Sequence, residues 1–136
     1  MADALVADAS IWLAIFLQEK DSEKWVNSLS EAPLFAPDLL PYELVNGVLR
    51  AHRRKRVVLE ASGNQLLLLL PELEVTWLPK DQWWAEALRI ARQREVTIYD
   101  AAYIAVAKVE KTNFCSLDEK QLSAAKKEGL TPMPVS

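Results

Sequence analysis

The chain is poor in several residue types, with three glycines, one cysteine and one histidine in 136 residues and no surplus of positive charge. Each shortage excludes something. A single cysteine cannot close a disulfide within the chain, which removes the disulfide-stapled secreted scaffolds and fits a reducing compartment. Cys115 lies in an apolar run with nothing nearby to lower its pKa, so it is expected in the core. His52 stands alone, and no serine or cysteine nucleophile sits in a recognisable setting, so a histidine-based triad has little support. Sixteen bases against nineteen acids leave a net charge of −3. That balance argues against broad basic coating of nucleic acid, though not against an enzyme that meets it through metal ions. No apolar run approaches the roughly 20 residues that span a bilayer, so no membrane partner is expected. The stretch "MADALVADAS" carries two acids and no base, unlike a signal or transit peptide, and a cytoplasmic location is the default. No linker-like composition and no repeat break the chain, so residues 1–136 are expected to form one domain.

What is present is an alternation of short β-type runs with longer helical ones. Leu5 to Ala7 is a short strand, and "DASIWLAIFL" after it a helix that Asp8 or Ser10 could cap. A helix over Ser22 to Ser30 precedes the strand "PLFAP"; Pro41 then suits the first turn of a helix reaching about Arg54. Further helices are expected over Val57–Leu70, Asp81–Arg94, Thr97–Lys108 and Asp118–Glu128, with strands at Glu74–Leu78 and "NFCSL". "LTPMP" is a candidate edge strand, because its prolines cannot donate to a ladder. Strands alternating with helices imply a three-layer α/β/α sandwich around a mostly parallel sheet. In such folds the ligand crevice lies beyond the carboxyl ends of the strands.

Four acids fall at that edge. Asp8 follows the first strand, Glu43 sits in a first helical turn, Asp100 opens the helix "TIYDAAYIAVAK", and Asp118 follows the last strand. An acid near a helix N-terminus is ordinarily explained by the backbone dipole, worth about 0.3–1 kcal/mol. Asp81 also begins a helix and needs nothing more. Four acids converging on one crevice are different, because they repel one another unless a cation sits between them. Hard divalent ions such as Mg²⁺ or Mn²⁺ take such oxygen ligands.

The chain resembles PIN-domain nucleases, especially the ribonuclease toxins of VapB–VapC-type toxin–antitoxin pairs. The stretches "VADASIWL", "PDLLPYELVNGVL", "IYDAAYIAVA" and "FCSLDEKQL" carry the likeness, in the family's order and over nearly the whole chain. The resemblance implies a PIN-like fold and metal-dependent hydrolysis of RNA. It implies a small antitoxin as partner, alongside a homodimer or higher oligomer. Asp8 and Asp100 become expected Mg²⁺ or Mn²⁺ ligands, with Glu43 and Asp118 as direct or water-mediated partners. Where the family commonly has Thr-x-Asp, this chain has Ser116-Leu117-Asp118, which keeps the hydroxyl and loses a methyl. Ser116 and Asn46 are expected in supporting roles, and Ser10 as either an N-cap or a helper. The alternative is a PIN-like module that binds RNA or protein without cutting. A receiver domain or a haloacid-dehalogenase-like phosphatase fits less well, since the first strand is followed by Asp8-Ala9-Ser10 rather than by paired acids or Asp-x-Asp.

Three further features stay open between two readings. The basic run "RAHRRKR" is either a solvated helix end or a contact to an RNA backbone. The run "QLLLLL" and the pair Trp83–Trp84 put apolar groups around a helix. They are either mostly core or partly a contact to another chain.

Overall fold

A computed structural model describes residues 3–54 and 59–133. Four parallel strands form one sheet: β1 (Leu5–Ala7), β2 (Leu34–Pro37), β3 (Val75–Leu78) and β4 (Asn113–Cys115), in the order β3-β2-β1-β4. Seven described α-helices flank it: α1 (Ala9–Phe16), α2 (Ser22–Ser30), α3 (Leu40–Arg53), α4 (Leu59–Leu69), α5 (Trp84–Arg94), α6 (Ile98–Glu110) and α7 (Glu119–Lys127). The fold is therefore α/β around a parallel sheet, as the alternation of strands and helices implies and as the resemblance leads one to expect. The expected start of α4 at Val57 lies outside the described residues. "LTPMP" forms a single parallel bridge, Phe114 to Pro132, rather than a strand. Pro132 has no N–H to lend, and its neighbours Thr131 and Met133 supply the acceptor and donor to Phe114 instead.

Topology explains where the site must be. From β1 the chain winds outward through β2 to β3, then crosses back to β4 on the far side of β1. Right-handed crossovers in opposite directions place helices on opposite faces of the sheet. The winding changes direction between β1 and β4, which opens a crevice at their carboxyl ends. Central β1 is buried at every residue, as expected of a parallel strand covered on both faces.

Helix α6 is the mount of the far face. All residues from Ala101 to Ala107 are buried, and it packs against β1, β2 and α5. Alanines at 101, 102, 105 and 107 keep its radius small and let it sit close to the sheet. On the other face α3 meets the Leu13 side chain of α1 at Gly47. A Cβ at Gly47 would lie 2.6 Å from Leu13 Cδ1, so only glycine fits without a shift. Glycine is scarce elsewhere, and α5 and α6 end on Glu95 and Lys111 in the left-handed region that glycine usually fills.

The leucine run divides sharply. Leu66 is buried, whereas Leu67 and Leu68 are 62% and 75% exposed and Leu69 is exposed too. Core burial for most of the run is therefore wrong among the residues whose side chains are described. A helix lying on the surface offers one face to the core, and consecutive residues 100° apart cannot all use it. Trp83 and Trp84 split in the same way, at 5% and 54% exposure, with Trp83 Nε1 donating to Leu78 O at 3.0 Å. Cys115 is buried, as expected, and burial pushes its thiol pKa up. No helix among the described residues is long and apolar enough to cross a membrane.

A charge cluster ties α5, α6 and α7 together. The Glu128 carboxylate, just past α7, takes Arg89 Nη2 at 2.6 Å, Arg94 Nε at 2.6 Å and Lys108 Nζ at 2.8 Å. Burial opposes its charge, but these donors outweigh burial and hold its carboxyl at about 2, against an ordinary 4.5. Its stabilising effect is complete above pH 4.5 and is lost as pH falls towards 2. Glu128→Gln is expected to cost roughly 2 kcal/mol at neutral pH. The gap in Tm between the two proteins should close on acidification from about pH 5 to pH 2, read by thermal denaturation. Gly47→Ala should lower stability by about 1 kcal/mol or more, despite alanine's better helix propensity. Denaturant titration reads this directly, and a stabilised Gly47→Ala protein would show the α1–α3 contact to be loose.

Candidate active site

Asp8 is the N-cap of α1 and is buried. Its Oδ1 accepts from Ser10 N at 3.0 Å and from Ser10 Oγ at 2.5 Å, and its Oδ2 accepts from Ser116 Oγ at 2.5 Å. Each serine hydroxyl has a second bond: Ser10 Oγ accepts from Leu117 N and Ser116 Oγ from Asp118 N, both at 2.9 Å. The two hydroxyls stitch the loop after β4 to the end of β1. The N-cap is thus Asp8, and Ser10 is inside the helix supporting it, because the extended backbone at Asp8 lets its side chain reach back to Ser10 N.

Glu43 lies in the first turn of α3, half-buried, and Tyr103 Oη donates to its Oε1 at 2.6 Å. Asp100 lies in the first turn of α6, half-buried, with Thr97 as N-cap accepting from Asp100 N at 3.1 Å. Asp118 caps α7, its Oδ1 accepting from Lys120 N at 2.9 Å and Gln121 N at 3.3 Å. Asn46 is exposed on α3. Tyr103, Thr97 and Gln121 were not singled out from the sequence. Spacing could have flagged them: Tyr103 lies three residues past Asp100, Gln121 three past Asp118, and Thr97-x-x-Asp100 has the form of a capping box.

Burial dominates the electrostatics of three of the acids, and the nearby charges of Arg50 on Glu43 and Lys120 on Asp100 only partly oppose it. Burial pushes the Asp8 carboxyl up to about 6, against the bonds from Ser10 and Ser116. Burial raises Glu43, and the charge of Asp100 adds to it, with the Tyr103 bond opposing. Burial raises Asp100 as well, and the charge of Asp118 adds to it. Tyr103 is raised by burial and by Glu43, Asp8 and Asp100 around it. Glu43, Asp100 and Asp118 are therefore linked by charge in a row along one edge of the sheet, and Asp8 joins them through Tyr103.

The expectation that they already close on one point is not met. Among the described residues no three carboxylate, histidine or cysteine side chains form a group able to hold a metal ion. The reason is visible in their bonds: Asp8 is turned to two serines, Glu43 to Tyr103, and Asp118 Oδ1 to its own helix. Like charges with such donors available spread rather than gather. The donor set itself suits a hard divalent ion, being all oxygen. Its raised carboxyls are the groups whose charge such an ion would favour.

Residues 5–127 match the PIN domain family, and the chain belongs to it. Among its relatives is Ribonuclease VapC3 of Pyrobaculum aerophilum, 32% identical over 121 residues that cover 85% of this chain and 90% of that protein. The crystal structure of PAE2754 from Pyrobaculum aerophilum is similar in fold, with a TM-score of 0.68 and 27% identity, covering 91% of this chain and 87% of that one.

Asp8 yields a test independent of activity. Its folded carboxyl at about 6 lies above its ordinary 3.8, so the protonated form favours the fold. That stabilisation is complete below about pH 4 and is lost as pH rises through 6. Relative to wild type, Asp8→Asn should gain stability between pH 4 and 7, by at most about 3 kcal/mol. A pH series of melting curves for both proteins reads the difference, and a flat difference would mean that Asp8 is not desolvated.

Proposed function

We propose that this protein is a metal-dependent endoribonuclease and the toxin of a VapB–VapC-type pair. The observation that carries the reading is the set Asp8, Glu43, Asp100 and Asp118 along the carboxyl edge of the sheet, with the carboxyls of Asp8, Glu43 and Asp100 raised by burial and only neutral donors bonded to Asp8 and Glu43. Membership of the PIN domain family and the likeness to a protein named Ribonuclease VapC3 support it.

In this reading Asp8 and Asp100 hold Mg²⁺ or Mn²⁺, with Glu43 and Asp118 as direct or water-mediated partners. When bound, such an ion acidifies water and offsets phosphate charge in the transition state. The chain's own residues do the positioning. Ser10 and Ser116 keep both Asp8 oxygens oriented, and Tyr103 fixes Glu43. Thr97 closes the first turn of α6 and so sets where Asp100 stands. Asn46, one turn past Glu43, supports from the solvent side. Hydrolysis is the in-line attack of water on the phosphorus of an RNA phosphodiester, with cleavage of the opposite P–O bond.

The exposed leucines of α4 and the apolar groove between α3 and α4, lined by Val45, Val48, Leu49, Leu66 and Leu67, suit contact with a small antitoxin or a second copy. A homodimer or higher oligomer in the cytoplasm completes the proposal.

Purified protein should cut RNA with Mg²⁺ or Mn²⁺ and stop when a chelator is added. Asp100→Asn and Asp8→Asn, confirmed folded, should lose roughly a hundredfold or more in rate. Mn²⁺ should raise the Tm of the wild type but not of these variants. Cleavage by Asp100→Asn at the wild-type rate would sink the mechanism. RNA binding without cleavage under these conditions would favour the non-catalytic module.

A further inference from the structure

One buried polar side chain near the site is not explained by packing. Gln121, in the first turn of α7, is 1% exposed. Its Nε2 donates to the backbone carbonyl of Asp100 at 2.8 Å, and its backbone N–H donates to Asp118 Oδ1 at 3.3 Å. Its Oε1 is buried and has no partner among the described residues. The amide cannot be turned round, because two oxygens would then face each other at the Asp100 carbonyl.

A leucine or methionine would fill the same space with no stranded oxygen, and stranding one is costly. An amide at this position therefore works against stability unless its single bond has a use. That bond joins the two helices whose N-termini carry Asp100 and Asp118, acids whose charges oppose each other. A helix carbonyl has a second lone pair beyond its intrahelical bond, so the amide holds α6 without disrupting it.

We infer that Gln121 is a positioning residue that bolts the first turn of α6 to the first turn of α7 and so fixes the spacing of Asp100 and Asp118 for a divalent ion. This builds on the metal-dependent reading above. Gln121 touches neither ion nor RNA in this role. It acts through the Asp100 backbone, as partners behind a ligand commonly do.

The test compares Gln121→Met, which keeps the volume and removes the donor, with Ala124→Gly, which weakens the same helix away from both acids. Mn²⁺ binding is measured on the RNA-free protein by calorimetry, together with kcat and KM for RNA cleavage and amide exchange in the first turn of α6. Gln121→Met should weaken Mn²⁺ binding about tenfold, lower kcat with KM unchanged, and speed exchange. Ala124→Gly should lower Tm while leaving Mn²⁺ binding at the wild-type value. If Gln121→Met does not fold, Gln121→Leu likewise removes the donor without adding charge and is read the same way. Wild-type Mn²⁺ binding in the Gln121 variant, or equal weakening in both variants in step with their Tm, overturns the inference and leaves the proposed function standing. A wild-type protein that binds no Mn²⁺ overturns both.

Discussion

Repulsion among carboxylates brought to one edge of a parallel sheet is the constraint around which the rest of this molecule is organised. The topology collects the ends of β1 and β4 and the starts of α3, α6 and α7 in one region, and four of those ends carry an acid. None of the four acids forms an ion pair among the described residues. They are held by hydroxyls, by helix N–H groups and by a phenol. Such donors orient a carboxylate without neutralising it. Arg50 and Lys120 act on Glu43 and Asp100 only through their more distant charge, so no acid is committed to an ion pair and all four stay open to a hard cation.

The two faces of the sheet contribute differently. On one, α1 and α3 meet where the Leu13 side chain fills the space left open at Gly47, which helps set the position of Glu43 relative to Asp8. On the other, the small and fully buried residues of α6 press Asp100 against the sheet's carboxyl edge, and Tyr103 reaches from that same helix to Glu43. One phenolic bond thus spans from α6 on one face of the sheet to α3 on the other. The three cations around Glu128 bind the far ends of α5, α6 and α7, so the acids sit at the end of a braced bundle rather than on free loops.

Much of this was legible in the residues themselves. Strand and helix alternation gave the sheet and its edge, and the four acids stood out because each began or preceded a helix after a strand. The failures have physical causes. Asp8 and Ser10 could each have capped α1, and only backbone geometry decides between them. Periodicity showed that "QLLLLL" could not face one core, but not that Leu67 to Leu69 would be left outside. Convergence of acids was inferred from edge placement. Where each side chain turns depends on local donors such as Tyr103, which sequence spacing does not rank. Gln121 went unnoticed because a glutamine on a lysine-rich helix reads as surface until burial is known.

The hydroxyl stitching between β1 and β4 has a consequence for how this fold can vary in length. Ser116, Leu117 and Asp118 form a connector of three residues between β4 and α7, and each bonds to the Asp8–Ser10 turn or to another member of the connector. One inserted residue would throw all of these bonds out of register together, along with the cap of α7. A change of length at this junction therefore disrupts more bonds at once than one in a connection that carries none.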